Sequence, residues 1–147
     1  MPKKNIPYDQ KYYDPEIETM PREELEKLQL ERLNEELKFA YENAPYYKRT
    51  WDELGIEPHV DTLKDLEKFP FINKQTERST QGVGSFFGEL CGVPEDDVVY
   101  MATSSGSTGV PTMSPFTQKD FDDFMDAESR LFWQVGMRPN DRYLHGM

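Results

Sequence analysis

Hydrophobic positions follow two different repeats along this chain. Leu30, Leu33, Leu37, Tyr41 and Ala44 recur every three or four residues, the spacing that lines one face of an α-helix. Between them stand Glu23, Glu26, Lys27, Glu31, Arg32, Glu35, Glu36, Lys38 and Glu42, so the remaining faces are solvated. The pattern predicts a helix from about Pro21 to Asn43, with Thr19 or Met20 near its cap and Pro21 in its first turn. Glu23 and Lys27 form a favourable pair one turn apart, and Pro45 is its stop. Short helices follow: Tyr46 to about Leu54, Leu63 to Lys68 capped by Thr62, and a piece capped by Asn73 that runs through Arg78. Trp51, Leu54, Phe69 and Phe71 pack them. Ahead of all this, Pro2, Pro7 and Pro15 make residues 1–18 an extended arm rather than a helix. Its tyrosines Tyr8, Tyr12 and Tyr13 pack on the body.

The second repeat begins late. Gly82, Gly84, Gly88, Gly92 and Pro94 make residues 79–97 a loop, and Val98 to Ala102 then reads as a strand. Met101–Pro115, MATSSGSTGVPTMSP, is a glycine- and hydroxyl-rich bend. Thr117 caps a helix from Gln118 to about Val135, with Phe121, Phe124, Leu131 and Val135 on its apolar stripe and Asp120, Asp122 and Asp123 in its first turns, where carboxylates favour the dipole. Gly136 ends it, Pro139-Asn140-Asp141 turns, and Arg142 to Met147 starts another strand. Strand, loop, helix, turn and strand make the beginning of a βαβ unit and imply a parallel sheet. Such a sheet needs both faces covered, so the chain is expected to be the front of a larger α/β protein. The expected division is an N-terminal arm and helical region over 1–95 and the start of an α/β core over 96–147. No internal repeat is visible.

Composition narrows the function. The chain has 147 residues, of which 36% are hydrophobic and 13% aromatic, and its mean hydropathy is -0.83. The core is therefore modest and leans on aromatic area. A net charge of -11 argues against nucleic acid or an anionic membrane surface as partner. It also means that a nucleotide site must be neutralised locally, by N–H groups and a divalent cation. The one cysteine, Cys91, leaves no disulfide framework or Cys-cluster zinc site and reads as a small buried apolar residue. His59 and His145 have no ligand spacing. Glu95-Asp96-Asp97 does not match a calcium loop and reads as a solvated turn. No run approaches the ~18 apolar residues of a membrane span, and the N-terminus lacks the apolar region of a signal peptide. The expected location is the cytoplasm.

The chemistry-bearing stretch is the bend. Small residues let backbone N–H groups converge on an anion, and hydroxyls add donors. It is not the common P-loop, because only Ser107 and Thr108 separate Gly106 from Gly109 and Val110 follows. No Gly-x-Ser-x-Gly elbow runs through it. As composition alone it also suits a plain turn or a flexible linker.

Thr103–Thr112, TSSGSTGVPT, resembles the phosphate-binding signature of adenylate-forming acyl-CoA ligases. It is most similar to the phenylacetate–CoA ligase branch, whose loop reads Ser-Ser-Gly-Thr-Thr-Gly-Lys-Pro-Thr. Tyr13–Leu25, YDPEIETMPREEL, Tyr41–Tyr47, YENAPYY, and Leu66–Phe71, LEKFPF, resemble the same branch, so the likeness runs from about Tyr13 to the end. The resemblance implies an α/β fold in which a helical N-terminal region leads into the first βαβ unit of the large adenylate-forming N-terminal domain, incomplete here. It implies an ATP-dependent aryl-acid–CoA ligase, using ATP, Mg2+ and CoA on a small aromatic carboxylic acid such as phenylacetate. Ser104, Ser105, Gly106, Ser107, Thr108 and Gly109 would hold the β- and γ-phosphates. The other nucleotide contacts and the catalytic residues would lie beyond Met147, so this chain alone is expected to be inactive. A homodimer stays open.

Two departures matter. Ser107 replaces a frequent Thr and keeps its hydroxyl. Val110 stands where the branch has Lys, removing a charge-assisted contact worth about 1.5–3 kcal/mol from a site on an acidic chain. Lys119 is nearby in sequence. Two other readings stand beside the ligase: a non-catalytic acidic interaction module built on the Pro21–Asn43 helix, and an adenylating enzyme that acts on a different acid.

Overall fold

The computed structural model describes residues 6–105 and 111–144. The long amphipathic pattern folds as expected into a helix, preceded by one helical turn. That turn, α1 (Pro15–Glu18), is capped by the Asp14 carboxylate, which accepts the Ile17 N–H at 3.3 Å. The arm expected to be wholly extended therefore contains a turn, because Pro15 sits at the first helical position, where its missing N–H costs nothing. The long helix α2 spans Arg22–Asn43, with Pro21 itself at the cap and no side-chain cap bond. Arg22 pairs with Glu26 at 2.6 Å across its first turn; the expected Glu23–Lys27 pair is not formed. Ala44 then ends α2 and begins α3 (Pro45–Leu54). Pro45 thus stops one helix by starting the next. Gly55 closes α3 in the left-handed conformation at φ 65°, a position that favours glycine.

The core lies where α2 and α3 meet the chain beyond them. Leu37, Trp51 and Val60 are buried together, flanked by half-buried Leu30, Leu33, Ala40, Tyr41, Tyr47, Ile56 and Phe69. Trp51 carries the cluster. Its ring centroid lies 5.0 Å from Phe69, edge-on, 5.2 Å from Tyr47 and 6.3 Å from Tyr41, nearly parallel. Asn34 clamps the returning chain from the helix side: its Nδ2 donates to the Val60 carbonyl at 2.9 Å and its Oδ1 accepts the Val60 N–H at 2.8 Å.

The stretch Leu63–Lys68 has the expected bounds but winds as a 3-10 helix. Thr62 and Asp65 close a reciprocal capping box there. Helix α4 (Lys74–Thr80) is capped by Asn73 as expected and runs two residues further. Glu95–Asp97 forms a 3-10 turn leading into β1 (Val98–Thr103).

Beyond β1 the outcome differs from the hydrophobic pattern. A second strand, β2 (Met113–Thr117), returns antiparallel to β1, pairing Thr103 with Met113 and Tyr100 with Phe116. The bend therefore caps a hairpin rather than joining a strand directly to a helix. Pro115 had hidden β2, because proline lacks a ladder N–H; in a two-stranded sheet each strand is an edge and tolerates it. The parallel partner expected from Arg142 onward is not present in 142–144, which carry no strand, and 145–147 lie outside the described residues. Helix α5 (Gln118–Gln134) starts at Thr117, whose side chain and Asp120 form another capping box. Helical region, hairpin and α5 still give a helical N-terminal part leading into the opening of an α/β unit.

The far end of α5 holds the arm. Trp133 Nε1 donates to the Gln10 carbonyl at 3.0 Å, and Tyr13 meets the Trp133 ring edge-on at 6.0 Å. The Arg138 guanidinium lies 3.9 Å above the same ring and donates to the Tyr8 carbonyl at 3.1 Å. Tyr13 thus packs by its ring as expected, while Tyr8 is tied through its backbone and its side chain stays exposed.

Candidate functional site

The candidate phosphate loop occupies the tip of the β1–β2 hairpin. Of its expected members, Ser104 and Ser105 are described; Gly106, Ser107, Thr108, Gly109 and the neighbouring Val110 lie outside the described residues. What the structure shows is the neck. The Ser104 N–H donates to the Thr112 carbonyl at 3.0 Å, and the Thr112 N–H donates to Ser104 Oγ at 2.9 Å. The two bonds close the loop base beyond the last strand pair, Thr103 with Met113. Ser104 Oγ acts as acceptor here, which leaves its O–H as a donor. Thr112 is buried to 4% exposure, whereas Ser105 is exposed.

The returning limb continues against the helical region. Gln81, which caps the C-terminus of α4, donates from Nε2 to the Met113 carbonyl at 2.9 Å. A cleft of about 470 Å³ adjoins this contact, between α2, α4, the glycine segment and β2. Phe39, Tyr47, Phe87 and Phe116 give it an aromatic lining, and Glu36, Glu77 and Asp120 bring carboxylates to it. Cys91 also lines it, with Sγ 3.4 Å from the Val93 carbonyl; expected as a small buried apolar residue, it is half-buried, because the cleft stays open beside it. Burial pushes the Tyr47 hydroxyl above its ordinary range, with Tyr46 and Glu36 adding to the effect.

Lys119, the lysine nearest the loop in sequence, lies on the exposed surface of α5. Its ammonium pairs with Asp123 one turn along α5, and its pKa is raised first by that bond. It shares a second cleft with Glu35 and Glu36 of α2. Asp120 is likewise engaged, accepting from Thr117 N–H and Oγ1 at 2.9 and 2.8 Å. Among the described residues no group of three His, Cys, Asp or Glu is placed to hold a metal ion, and no helix is long and apolar enough to cross a membrane. His59 lies 3.4 Å from Asp61 at the surface, and His145 is outside the described residues. Thr112 belongs to the signature stretch but was given no role in it by sequence reasoning, and Gln81 was not picked out at all. Thr112 closes the neck across eight residues and Gln81 reaches it across 32, distances that no local pattern reports.

Two kinds of known protein resemble this chain. No protein-family profile matches it. A phenylacetate-coenzyme A ligase of Thermus thermophilus is 38% identical over 128 residues, covering 86% of this chain and 28% of that protein. The phenylacetate-coenzyme A ligase of Escherichia coli is 40% identical over 127 residues, with 86% and 28% covered. Among solved structures, 2-hydroxyisobutyryl-CoA ligase in its postadenylation state with 2-HIB-AMP superposes with a TM-score of 0.84 at 33% identity, covering 92% of this chain and 28% of that one. The same ligase with 2-HIB-AMP and CoA in the thioesterification state gives 0.84 at 35% identity. The chain thus spans little more than a quarter of the length of the relatives it matches.

Proposed function

We propose that this chain, a phenylacetate–CoA ligase-like member of the adenylate-forming ligases, supplies the part of an aryl-acid–CoA ligase that receives the phosphate tail of ATP. In that reaction the acid's carboxylate attacks the α-phosphate, forming an acyl-adenylate and releasing pyrophosphate. The CoA thiol then attacks the acyl carbon and AMP leaves, giving the thioester. The observation that carries the proposal is the neck: Ser104 and Thr112 bond to one another at the base of the hydroxyl- and glycine-rich stretch, so the Ser104 hydroxyl is held in place before an anion arrives. Preorganised donors stabilise developing charge without reorganisation at the moment of reaction. Ser104, Ser105, Gly106, Ser107, Thr108 and Gly109 are the residues assigned to the β- and γ-phosphates. Residues 96–147 open the adenylation core, and 1–95 are the helical region that carries it.

Hydroxyl and N–H donors fit phosphate oxygens. The described residues offer no cluster of carboxylates for a resident magnesium ion. Magnesium enters this proposal only as the nucleotide's counterion, and no step is routed through a protein-bound metal. With Val110 in the loop and Lys119 paired to Asp123, that counterion supplies the positive charge. Calorimetry tests the site: Mg-ATP should bind saturably, and Gly106→Val, which forces a branched side chain into the loop, should abolish the heat. Binding that survives the substitution unchanged overturns the assignment. A second reading, an adenylating enzyme for a different acid, is favoured by the superposition on 2-hydroxyisobutyryl-CoA ligase. AMP release with phenylacetate against 2-hydroxyisobutyrate, in a protein carrying this chain, separates the two.

A further inference from the structure

We infer that Gln81 is a positioning residue for the phosphate loop: its side-chain amide holds the returning limb at Met113 and so fixes the neck from which Ser104 presents its hydroxyl. The inference rests on the phosphate reading above and deepens it. Met113 opens β2 and follows Thr112, whose N–H and carbonyl are both bonded to Ser104. A single bond from Gln81 to the Met113 carbonyl at 2.9 Å therefore acts one residue from the neck.

The donor is mounted on a stiff support. Gln81 N–H is itself bonded to the Glu77 carbonyl at 3.2 Å. The preceding Thr80 is 4% exposed, its Oγ1 donates to Glu77, and its carbonyl accepts the N–H groups of Val83 and Glu89 at 3.2 and 3.3 Å. Gly88, at φ 83°, crosses so close that a Cβ there would come within 2.1 Å of the Thr80 carbonyl oxygen. Only glycine permits that crossing. A glutamine with many rotamers is an unlocalised donor on a free helix end; on this node its backbone is pinned on both sides, and the amide spans a fixed gap to β2.

Amide hydrogen exchange of the chain tests the anchor. Gln81→Leu keeps the bulk and removes the donor. Exchange at the Ser104 and Thr112 amides should then rise about three- to tenfold, the effect of one ordinary hydrogen bond, while Ala44 and Ile56 amides in the α2–α3 core stay unchanged. Gln81→Glu should match Gln81→Leu at neutral pH, because a carboxylate cannot donate. Near pH 4, close to the ordinary glutamate value of about 4.3, its protonated form donates again and exchange should fall back toward wild type. Glu36, Glu77 and Asp120 line the same cleft and titrate in every variant, so the ratio of Gln81→Glu to Gln81→Leu at each pH isolates position 81. Unchanged exchange at Ser104 and Thr112, an equal rise at Ile56, or no recovery in acid overturns the anchor. Titration with inorganic pyrophosphate supplies the functional readout: Gln81→Leu should bind it more weakly than wild type by a similar factor, and equal affinity overturns the positioning role. If neither chain takes pyrophosphate, the phosphate reading falls, and exchange still decides the anchor.

Discussion

Ser104 illustrates how much one hydroxyl does at the scale of a residue. Its Oγ accepts the N–H of Thr112, a residue sunk to 4% exposure. Ser104→Ala leaves that N–H without its acceptor, and an orphaned buried donor costs about 1–3 kcal/mol. A urea titration should show the loss in its midpoint, and an unshifted midpoint would mean that the neck is not holding. Asp65 is the corresponding electrostatic case. The Lys68 ammonium at 2.6 Å, then the Thr62 hydroxyl and N–H, hold its carboxyl down to about 2 from an ordinary 3.8. A folded value below the unfolded one means that the contribution is complete above pH 3.8 and is lost as pH falls toward 2. Asp65→Asn should therefore flatten the acid limb of the stability curve between those values and lower stability at neutral pH. Acid titrations of the two proteins that run parallel would remove the role.

At the scale of the element, local caps decide boundaries. Thr62 with Asp65 and Thr117 with Asp120 each form a reciprocal box, and Asn73 accepts from Gln75 and Thr76 N–H groups at 2.9 and 3.0 Å. The residues involved lie within three positions of one another, which is why these starts were legible in the sequence. Thr117 has a second duty, since it also ends β2 opposite Val98. Thr117→Ala should cost about 1 kcal/mol, and its exchange signature should reach both α5 and the last rung of the hairpin. Loosening of α5 alone would show that cap and strand are independent. The strand itself was not legible, because Pro115 interrupts the alternation by which a strand is recognised.

For the whole molecule, the two ends of the described chain are tied through Trp133. Arg138 stacks on its ring and reaches Tyr8, while the indole N–H reaches Gln10. Arg138→Ala removes the stack and the carbonyl contact together, so the arm before Asp14 should become cleavable in limited proteolysis while the Leu37–Trp51–Val60 core resists. An arm that stays protected would show that the indole and Tyr13 suffice. The acidic balance acts at the same scale. On the phosphate reading, a net charge of -11 opposes a bare triphosphate, so omitting magnesium should weaken ATP binding more than any single neck substitution does.

Periodicity and caps were sufficient for the main helices, while the resemblance of the bend and of Tyr13–Leu25, Tyr41–Tyr47 and Leu66–Phe71 to a ligase branch gave the residues proposed to meet phosphate, since each is written within a turn or a short motif. Tertiary structure alone decided that the bend is a hairpin tip, that Ser104 and Thr112 close it and that Gln81 braces it. Those contacts join residues eight and 32 positions apart, and their geometry exists only once α4, the glycine crossing at Gly88 and β2 have packed together.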